Sequence, residues 1–319
     1  MHRAAPWFIV TNWFCCEMAI AVTGGTGFLG QALLDMALGQ GIAVRALARK
    51  PQPDRSGVTW IAGDLADREG LTQLCQGTQA VIHVAGLVNT PNPAEFTLAN
   101  VDGTQAVIEA ARAAGVRRFI FVSSLSAREP ALSAYGASKA RAEQVVMASG
   151  LDWTIVRPPT IYGPRDADML ELFRAAKWGV VPVPAQGRSS IIHADDLSAL
   201  LLALIAGSPD VLRRSFEPDD GQPGGWSHVE LARAIGSAVG RRPLVLRLSP
   251  RIMRWAARAD MRLRGGKAKL TLDRVGYMTH PDWVVSAGTT VPAALWRARI
   301  ATPDGLKTTA QWYRDNGWL

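Results

Sequence analysis

A glycine-rich stretch near the amino terminus of the chain reads Thr23-Gly24-Gly25-Thr26-Gly27-Phe28-Leu29-Gly30. It follows a short apolar run, Ile20 to Thr23, and it opens a helical pattern over Leu29 to Leu38. In that position Gly24 permits a tight turn, Gly27 lets the backbone approach a pyrophosphate, and Gly30 lets the helix pack closely on the strand. The helix N-terminus offers free N–H groups to the same phosphates. The stretch therefore predicts a dinucleotide site formed by Gly24, Thr26, Gly27, Phe28, Leu29 and Gly30.

Short β-branched runs alternate with helical patterns through the first half of the chain. The runs are Ile20 to Thr23, Ala43 to Leu47, Val58 to Ile61, Ala80 to Val84, Phe119 to Ser123 and Thr154 to Val156. The helical patterns between them include Leu29 to Leu38, Asp67 to Cys75, Val101 to Ala114 and Ala134 to Ala148. This alternation predicts an α/β fold with a doubly wound parallel sheet, the Rossmann fold.

The second half of the chain has a different rhythm, with Pro- and Gly-rich loops between helices near Asp195 to Leu204 and Ser227 to Val239. We interpret residues 18–165 as the dinucleotide-binding domain. Residues 166–319 are expected to form mainly a smaller C-terminal substrate lobe, with some segments returning to the Rossmann sheet. Met1 to Val22 has some features of a secretory signal peptide, but cleavage after it would remove Ala19 to Val22 of the first strand. Residues 1–17 are therefore interpreted as an N-terminal extension, with disorder as one expectation.

The composition is that of an ordinary globular protein. Hydrophobic residues make up 48% and charged residues 19% of the 319 residues, which argues against a disordered chain or a membrane-spanning one. The three cysteines, Cys15, Cys16 and Cys75, provide neither a disulfide framework nor zinc-ligand spacing. A reducing, cytoplasmic setting is the simplest interpretation.

The residues that close the second predicted strand are Ala48-Arg49-Lys50. In dinucleotide folds an acid at this place would bind the ribose 2′-hydroxyl and repel a 2′-phosphate. Here no carboxylate stands there, and Arg binds phosphate through a charge-assisted fork. We therefore expect Arg49 and Lys50 to favour NADP(H), with NAD(H) as the alternative.

Tyr135 and Lys139 lie four residues apart, which places both side chains on one face of the helix predicted from Ala134. Ser124 follows a predicted strand just upstream, and strand ends in such sheets lie beside the cofactor crevice. A phenol is a weak acid–base catalyst at neutral pH unless a nearby cation favours the phenolate. The sequence therefore predicts a catalytic set of Tyr135, Lys139 and Ser124, with Ser124 holding the substrate oxygen.

With these motifs the chain resembles the short-chain dehydrogenase/reductase superfamily, in its extended, NAD-dependent epimerase/dehydratase branch. The further motifs that carry the resemblance are Gly63-Asp64-Leu65, Val81-Ile82-His83-Val84-Ala85-Gly86, Asn100-Val101-Asp102-Gly103-Thr104, Arg157-Pro158-Pro159-Thr160-Ile161-Tyr162-Gly163-Pro164, Ile192-His193-Ala194-Asp195-Asp196 and Gln311-Trp312-Tyr313. The resemblance implies that Asp64 and Leu65 flank the adenine and that Ala85 and Gly86 line the cofactor channel. It also implies that Lys139 binds the nicotinamide ribose, and that Pro158 to Ile161 pass beside the nicotinamide.

Departures from the family pattern bear on the substrate. Ser124 and Tyr135 are only eleven residues apart, which is shorter than the loop of sugar-nucleotide enzymes. Leu125-Ser126 stands where sugar dehydratases carry an acidic pair, and the stretch Arg157 to Pro164 lacks the Asn that binds a diphosphate. We therefore favour hydride transfer to or from a small or moderately apolar carbonyl or alcohol. Two alternatives stay open: a sugar-type epimerase or dehydratase, and a non-catalytic NADPH-binding subunit resembling the accessory subunit of respiratory complex I.

A basic segment accounts for the net charge of +8, since Arg241 to Lys269 holds ten Lys or Arg against one acid, Asp260. Within it, Ile252, Trp255, Ala256, Ala259 and Leu263 recur at helical spacing beside a stripe of Arg251, Arg254, Arg258 and Arg262. A solvated helix face packed on the C-terminal lobe is the favoured interpretation. An anionic substrate site, or peripheral membrane contact through residues 249–269, is the alternative.

Other partners are limited by the same features. No recognition motif accompanies the charge, so nucleic acid is not expected. His83 lies in a strand that looks buried and His193 in a predicted loop, so no metal site is expected. The partner is a small-molecule substrate, and monomer and homodimer both stay open.

Overall fold

The computed structural model describes residues 19–319. Its strands, in chain order, are β1 Ala19–Thr23, β2 Val44–Ala48, β3 Val58–Ala62, β4 Thr78–His83, β5 Arg118–Val122, β6 Asp152–Val156, β7 Thr160–Tyr162, β8 Val180–Pro184, β9 Arg188–Ser189, β10 Ile191–His193, β11 Arg214–Phe216, β12 Trp226–Ser227, β13 Leu244–Leu248 and β14 Asp282–Trp283. The expectation of an extension over residues 1–17, and the cysteines Cys15 and Cys16, lie outside the described residues.

The α-helices are α1 Phe28–Gly39, α2 Arg68–Cys75, α3 Pro93–Phe96, α4 Gly103–Ala113, α5 Ala134–Ala148, α6 Ala167–Trp178, α7 Ala194–Ala203, α8 His228–Ala238, α9 Pro250–Arg264, α10 Leu272–Met278 and α11 Thr302–Asp315. A π-helix, Thr97–Asp102, joins α3 to α4. Short 3₁₀ turns follow β5 at Leu125–Arg128 and Pro130–Leu132, and others lie at Leu204–Ala206, Gly265–Lys267 and Ala287–Thr289. No helix among residues 19–319 has both the length and the apolar character needed to cross a bilayer.

A seven-stranded parallel sheet forms the centre of the molecule, in the order β11-β6-β5-β4-β1-β2-β3. Its inner strands are apolar on both faces because helices cover both. Helices α1 and α7 pack on one face, and α2, α4 and α5 pack on the other. This is the doubly wound α/β fold that the alternating pattern predicts. The strand order reverses at β1 and β4, so a ligand crevice opens at the carboxyl ends of these strands.

The bounds of the first-half elements differ little from the sequence-based ones. Helix α5 has the predicted bounds, and the six strands differ by one or two residues at an end. The helix predicted over Val101 to Ala114 begins two residues later, because Val101 and Asp102 belong to the π-helix. His193 also differs: it is the last residue of β10 and the N-cap of α7 rather than part of a loop. Its side chain accepts a hydrogen bond from the Asp195 N–H, which favours that helix start.

After residue 165 the chain contributes a further apolar cluster, and two segments return to the central sheet: α7 packs on it beside α1, and β11 completes its edge beside β6. The cluster joins α6, α8 and α11, with Phe173 and Tyr313 fully buried within it. Strands β8 and β13 pair in parallel to form a two-stranded ribbon. The ribbon runs directly into α9, because only Ser249 separates Leu248 from Pro250.

Helix α9 packs in a way that the sequence did not indicate. Its buried residues are Met253 and Ala257, which contact α10. The apolar positions singled out at helical spacing, Ile252, Trp255, Ala256, Ala259 and Leu263, are all exposed. The expectation that the Arg stripe is solvated agrees with the structure, since Arg251, Arg254, Arg258 and Arg262 are exposed as well. The helix thus presents both stripes to solvent and uses a third, narrow face for packing.

Candidate active site

The glycine-rich turn after β1 brings backbone from two strands into close contact. Gly24 has a φ of 75°, and a Cβ at this position would lie 2.7 Å from the amide nitrogen of Ala85. A Cβ on Gly30 would overlap the carbonyl oxygen of Gly24. Side chains at either position would therefore push the turn away from β4 or α1. The N-cap of α1 is Gly27, which has no side chain to satisfy the first N–H groups of the helix, so these stay free for an anion.

A cavity of about 1500 Å³ opens along the carboxyl ends of the central strands. Nearly all of the residues proposed from the sequence line it: Gly24, Thr26, Gly27, Phe28, Leu29, Gly30, Arg49, Asp64, Leu65, Ala85, Gly86, Ser124, Tyr135, Lys139, Pro158 and Ile161. Lys50 is exposed next to Arg49 and is not among the lining residues. The cavity continues past Tyr135 into the second lobe, where its walls are mainly apolar but also carry charged side chains, among them Asp168, Glu171 and Lys269. It therefore joins a nucleotide-shaped cleft to a second chamber.

The cleft holds the residues expected to surround the adenosine. Arg49 follows the last residue of β2 directly and is exposed at the rim. Asp64 is also exposed, and its Oδ1 accepts a hydrogen bond of 2.8 Å from the Ala66 N–H, which fixes the turn after β3. Leu65 packs against Gly103 at the start of α4, where a Cβ would come within 3.0 Å of the leucine Cβ. Asp64 and Leu65 thus line the cleft next to the Arg49 guanidinium.

The N-terminus of α5 is held from two sides, and this fixes the position of Tyr135. Ser133 caps the helix by accepting a 2.9 Å hydrogen bond from the Gly136 N–H. Asp273, from α10 in the second lobe, accepts hydrogen bonds from the N–H of Ala134 at 2.5 Å and of Tyr135 at 3.3 Å. A carboxylate at this end also interacts favourably with the helix dipole. The helix that carries Tyr135 is thus anchored by a residue from the opposite lobe.

Tyr135 is buried between aromatic rings, with Phe96 and Tyr277 at centroid distances of 5.8 and 5.9 Å. Burial raises the pKa of its hydroxyl, and a hydrogen bond with Ser124 and the charge of Arg274 oppose that effect only in part. From the sequence, Lys139 is expected to be the cation beside the phenol, whereas the charge that lowers the pKa of Tyr135 is that of Arg274. A phenol in this setting stays protonated at neutral pH and can donate its proton.

Lys139 lies one helical turn after Tyr135 and is also buried. Its Nζ donates a 2.9 Å hydrogen bond to the carbonyl of Val122 at the end of β5 and sits 4.3 Å from the centroid of the Phe121 ring. Burial lowers the pKa of Lys139 to about 8, and the nearby Glu143 opposes the shift. A Cβ on Gly86 would lie 3.7 Å from Nζ, so the ammonium faces the channel behind that glycine.

Asn100 takes part in the site, although no role was assigned to it from the sequence. It lies in the π-helix, a feature that often occurs at functional sites. Its Oδ1 accepts from the Leu87 N–H at 2.7 Å, and its Nδ2 donates to the Leu87 carbonyl and to Ser138 Oγ, both at 2.9 Å. Asn100 therefore ties the channel after β4 to α5 between the two candidate catalytic residues. Its presence in a motif was the only available signal.

A buried ion network supports the loop that carries Ser124. Ser123 donates a 2.5 Å hydrogen bond to Glu143, and Arg157 binds the same carboxylate through Nε at 2.9 Å and Nη2 at 2.6 Å. Arg157 also lies 3.6 Å from Glu217, which pairs with Arg128 at 3.2 Å. Paired charges of this kind avoid the penalty of an isolated buried ion. The network links the ends of β5, β6 and β11 to the loop before α5.

His83 and His193 both make hydrogen bonds to other groups of the protein. His83 is fully buried in β4, with Nδ1 2.6 Å from Thr23 Oγ1 and Nε2 3.0 Å from Thr104 Oγ1. Burial, followed by the charge of Lys139, lowers the pKa of His83 to about 3, so the ring is neutral. Among residues 19–319 no group of His, Cys, Asp and Glu side chains has the arrangement of a metal site.

Comparison with known proteins places this site in a family. Residues 24–204 match a family model described as NAD(P)H-binding. A ceramide reductase from Caulobacter vibrioides is 37% identical over 309 residues, covering 94% of this chain and 96% of the relative. A 2-alkyl-3-oxoalkanoate reductase from Stenotrophomonas maltophilia is 33% identical over 199 residues, covering 54% of this chain and 60% of the relative.

Solved structures share the fold over nearly the whole chain. The structure described as MoeE5 in complex with UDP-glucuronic acid and NAD has a TM-score of 0.72, with 24% identity, and covers 94% of this chain and 99% of that one. These matches agree with the parallel sheet, the glycine turn and the cleft described above. The chain belongs to the short-chain dehydrogenase/reductase superfamily, in its extended, NAD-dependent epimerase/dehydratase branch, and is an NAD(P)-dependent oxidoreductase.

Proposed function

We propose that this protein is an NADP(H)-dependent reductase that reduces the ketone of a long-chain, ceramide-like lipid. One observation carries the proposal: Ser124, Tyr135 and Lys139 line the cavity where a dinucleotide cleft meets an apolar chamber. The likeness to the ceramide reductase of Caulobacter vibrioides over almost the whole chain supports the substrate class. The apolar chamber supports it independently.

The cleft fits a dinucleotide because Gly24 and Gly30 let the turn lie close against β4 and α1, and because the first N–H groups of α1 are free. When bound, reduced nicotinamide supplies the hydride that goes to the carbonyl carbon. Lys139 is placed to hold the adjoining ribose, since its ammonium faces the channel behind Gly86. Pro158 and Ile161 line the same part of the cavity and exclude water from it. The chain itself thus supplies position, exclusion of water and a proton.

The proton comes from Tyr135. Its phenol, kept protonated by burial, donates the proton to the carbonyl oxygen as that atom gains negative charge. Ser124 holds the same oxygen by a hydrogen bond, because its hydroxyl lies within reach of the phenol. The phenolate left behind is stabilised by the charge of Arg274, and solvent then reprotonates it. The product is the secondary alcohol.

The preference for NADP(H) rests on Arg49. The guanidinium is exposed at the rim of the cleft, one residue after β2 ends, and the residue that closes the strand is Ala48 rather than an acid. A 2′-phosphate at this rim would meet a fork of N–H donors. Lys50 lies next to it and adds charge without lining the cavity. NAD(H) stays the alternative.

The lipid chain is assigned to the chamber in the second lobe. Its walls are mostly apolar and include Met169, Leu172, Val181, Val183, Leu231, Ala232, Ile235, Met278 and Trp283. Burying a methylene group contributes about 0.8 kcal/mol, so the affinity of a long acyl chain would grow with the number of methylene groups buried against these walls. The buried Leu125 and Ser126 also stand where a sugar dehydratase needs acids. An epimerase or dehydratase of sugars therefore fits the site less well.

The experiment is a substrate panel followed by absorbance of the reduced nicotinamide. It compares an N-acylated keto-sphingoid lipid in detergent, a long-chain β-keto acid, a small methyl ketone and a UDP-sugar, each with NADPH and with NADH. We expect the keto-sphingoid lipid with NADPH to give the highest kcat/KM. Turnover of the UDP-sugar alone would replace the proposal by the epimerase alternative. Binding of NADPH without turnover of any ketone would favour the accessory-subunit alternative.

A further inference from the structure

Helix α9 exposes more large apolar side chains than a helix that only faces solvent usually does. Ile252, Trp255 and Leu263 are 52%, 70% and 84% exposed, and they lie on one side of the helix. The helix packs on the protein only through Met253 and Ala257. Single exposed apolar residues are normal, but large ones repeated along one side of a helix indicate an interaction surface.

The β8–β13 ribbon that leads into α9 also exposes apolar side chains. Leu244 pairs in register with Val180, and Leu246 pairs with Pro182, so the four side chains share one face. All four are exposed, whereas Val181 and Val183 on the other face are buried. We name the docking surface as Val180, Pro182, Leu244, Leu246, Ile252, Trp255 and Leu263.

Arginines flank the docking surface along α9. Arg251, Arg254, Arg258 and Arg262 are exposed, and their spacing places them on one stripe beside the apolar one. The only acid in the segment is Asp260, whose carboxylate accepts hydrogen bonds from the N–H groups of Lys269 and Leu270 at 2.8 Å and pairs with Arg264 at 3.1 Å. Its charge is therefore compensated locally. The stripe is complementary to an anionic surface.

The docking surface lies directly over the candidate active site. Met253 and Ala257 of α9 pack on Val275 of α10, in a cluster that also includes Leu270 and Met278. Leu270 and Met278 line the cavity from their other side. One layer of side chains therefore separates α9 from the chamber. On the ribbon, Val181 and Val183 line the same cavity from the buried face, and Pro182 of the docking surface is also among its lining residues.

We infer that this surface docks on an anionic phospholipid bilayer. Trp255, Ile252 and Leu263 enter the boundary between headgroups and acyl chains, and the flanking arginines contact lipid phosphates. An amphipathic helix with a basic flank and large apolar side chains has the chemistry that such binding requires. Docking goes beyond the proposed reaction and does not depend on it. It would bring a membrane lipid to the chamber without passage through water.

Vesicle sedimentation of the full chain tests the inference. We expect binding to phosphatidylcholine vesicles containing phosphatidylglycerol, and much weaker binding to pure phosphatidylcholine or at high salt. Arg251, Arg254 and Arg258 changed together to Gln should weaken the partition coefficient on the order of a hundredfold, since each basic residue near the bilayer contributes about fivefold. Trp255→Ser should weaken it by about tenfold and leave the salt dependence in place.

Matched controls carry the same changes at exposed positions on other elements. Arg112, Arg141 and Arg214 changed together to Gln remove the same charge, and Met147→Ser removes an exposed apolar side chain from α5. Both should bind vesicles as the parent does. Equal loss in the control triple would mean charge alone decides, and absence of vesicle binding by the parent would also overturn the inference.

Two further outcomes would contradict membrane docking through this surface. A Trp255→Ser change that converts a dimer to a monomer in sedimentation equilibrium would assign the surface to a second copy of the chain. Loss of vesicle binding in a chain starting at Met18, with binding intact in the α9 variants, would place the membrane contact in residues 1–17. Because none of these measurements uses turnover, a failed reductase assay would not affect them.

Discussion

The carboxyl end of the inner strand β5 and the region around α10 both supply groups that act on Tyr135, but they depend on the sequence in different ways. Next to the end of β5, Ser124, Tyr135 and Lys139 lie within sixteen residues of one another. The end of the strand and the periodicity of α5 bring their side chains together. At α10, Asp273 and Arg274 reach the same tyrosine from more than 130 residues away. The comparison suggests that the chemistry is encoded locally, whereas its positioning is encoded by contact between lobes.

The largest effect is expected from removing the hydroxyl of Tyr135 on α5. Tyr135→Phe is expected to lower kcat by roughly a hundred- to ten-thousandfold, because general acid catalysis is lost. NADPH affinity, measured by nicotinamide fluorescence, should stay within about twofold. Tyr162→Phe is the matched control, since that hydroxyl is buried outside the cavity lining. A Tyr135→Phe variant with more than about a tenth of parent activity would remove this residue from the mechanism.

The cofactor rim offers a second test of local encoding. Arg49→Ala is expected to weaken NADPH binding by roughly 1.5 to 3 kcal/mol, the range for hydrogen bonds to charged groups. NADH has no phosphate there to lose, so the preference should fall by roughly ten- to a hundredfold. Adding Lys50→Ala should extend the effect, because a flexible ammonium supplies charge without the fork. Equal weakening of both cofactors, or equal affinities in the parent, would contradict the NADP assignment.

The pH profile sharpens the account of Lys139. With its pKa lowered by burial to about 8, the ammonium is lost above that pH, and kcat/KM for ketone reduction should then fall about tenfold per pH unit. Folding should behave oppositely: the folded pKa lies below the unfolded value, so from about pH 8 upward this group favours the folded state more, not less. A fall in rate without a fall in melting temperature is the expected result. In Lys139→Arg, whose guanidinium stays charged, the residual rate should show no break near pH 8.

The smallest effect is expected from the contact between lobes. Asp273→Ala should lower the free energy of unfolding by about 1 kcal/mol and reduce kcat severalfold, because α5 loses a cap next to Tyr135. Ser249→Ala removes a side-chain cap from α9, at a residue outside the cavity lining. It should cost similar stability and leave kcat unchanged. If both variants lose kcat in proportion to stability, Asp273 has a structural role only and does not position the tyrosine.

The sequence predicted the sheet, the helix α5 and a set of site residues of which all but Lys50 line the cavity. Each of these depends on short-range signals: glycine spacing, strand length and a four-residue helical step. It did not predict Asn100, because the π-helix that aims its side chain has no pattern of its own. It also gave no signal for Asp273 or Arg274, which acquire a role only through tertiary contact. On α9, periodicity identified the apolar stripe correctly but not its exposure, because the buried face is short and contains a small residue, Ala257.

Transfer of labelled hydride tests the central claim most directly. NADPH carrying deuterium on one face of the nicotinamide C4 would be incubated with the N-acylated keto-sphingoid lipid, and the product analysed by mass spectrometry and NMR. The account predicts one deuterium on the new carbinol carbon from one of the two labelled forms only, with one NADP⁺ formed for each alcohol. An alcohol without deuterium from either form, or NADPH that binds but is not oxidised, would contradict it.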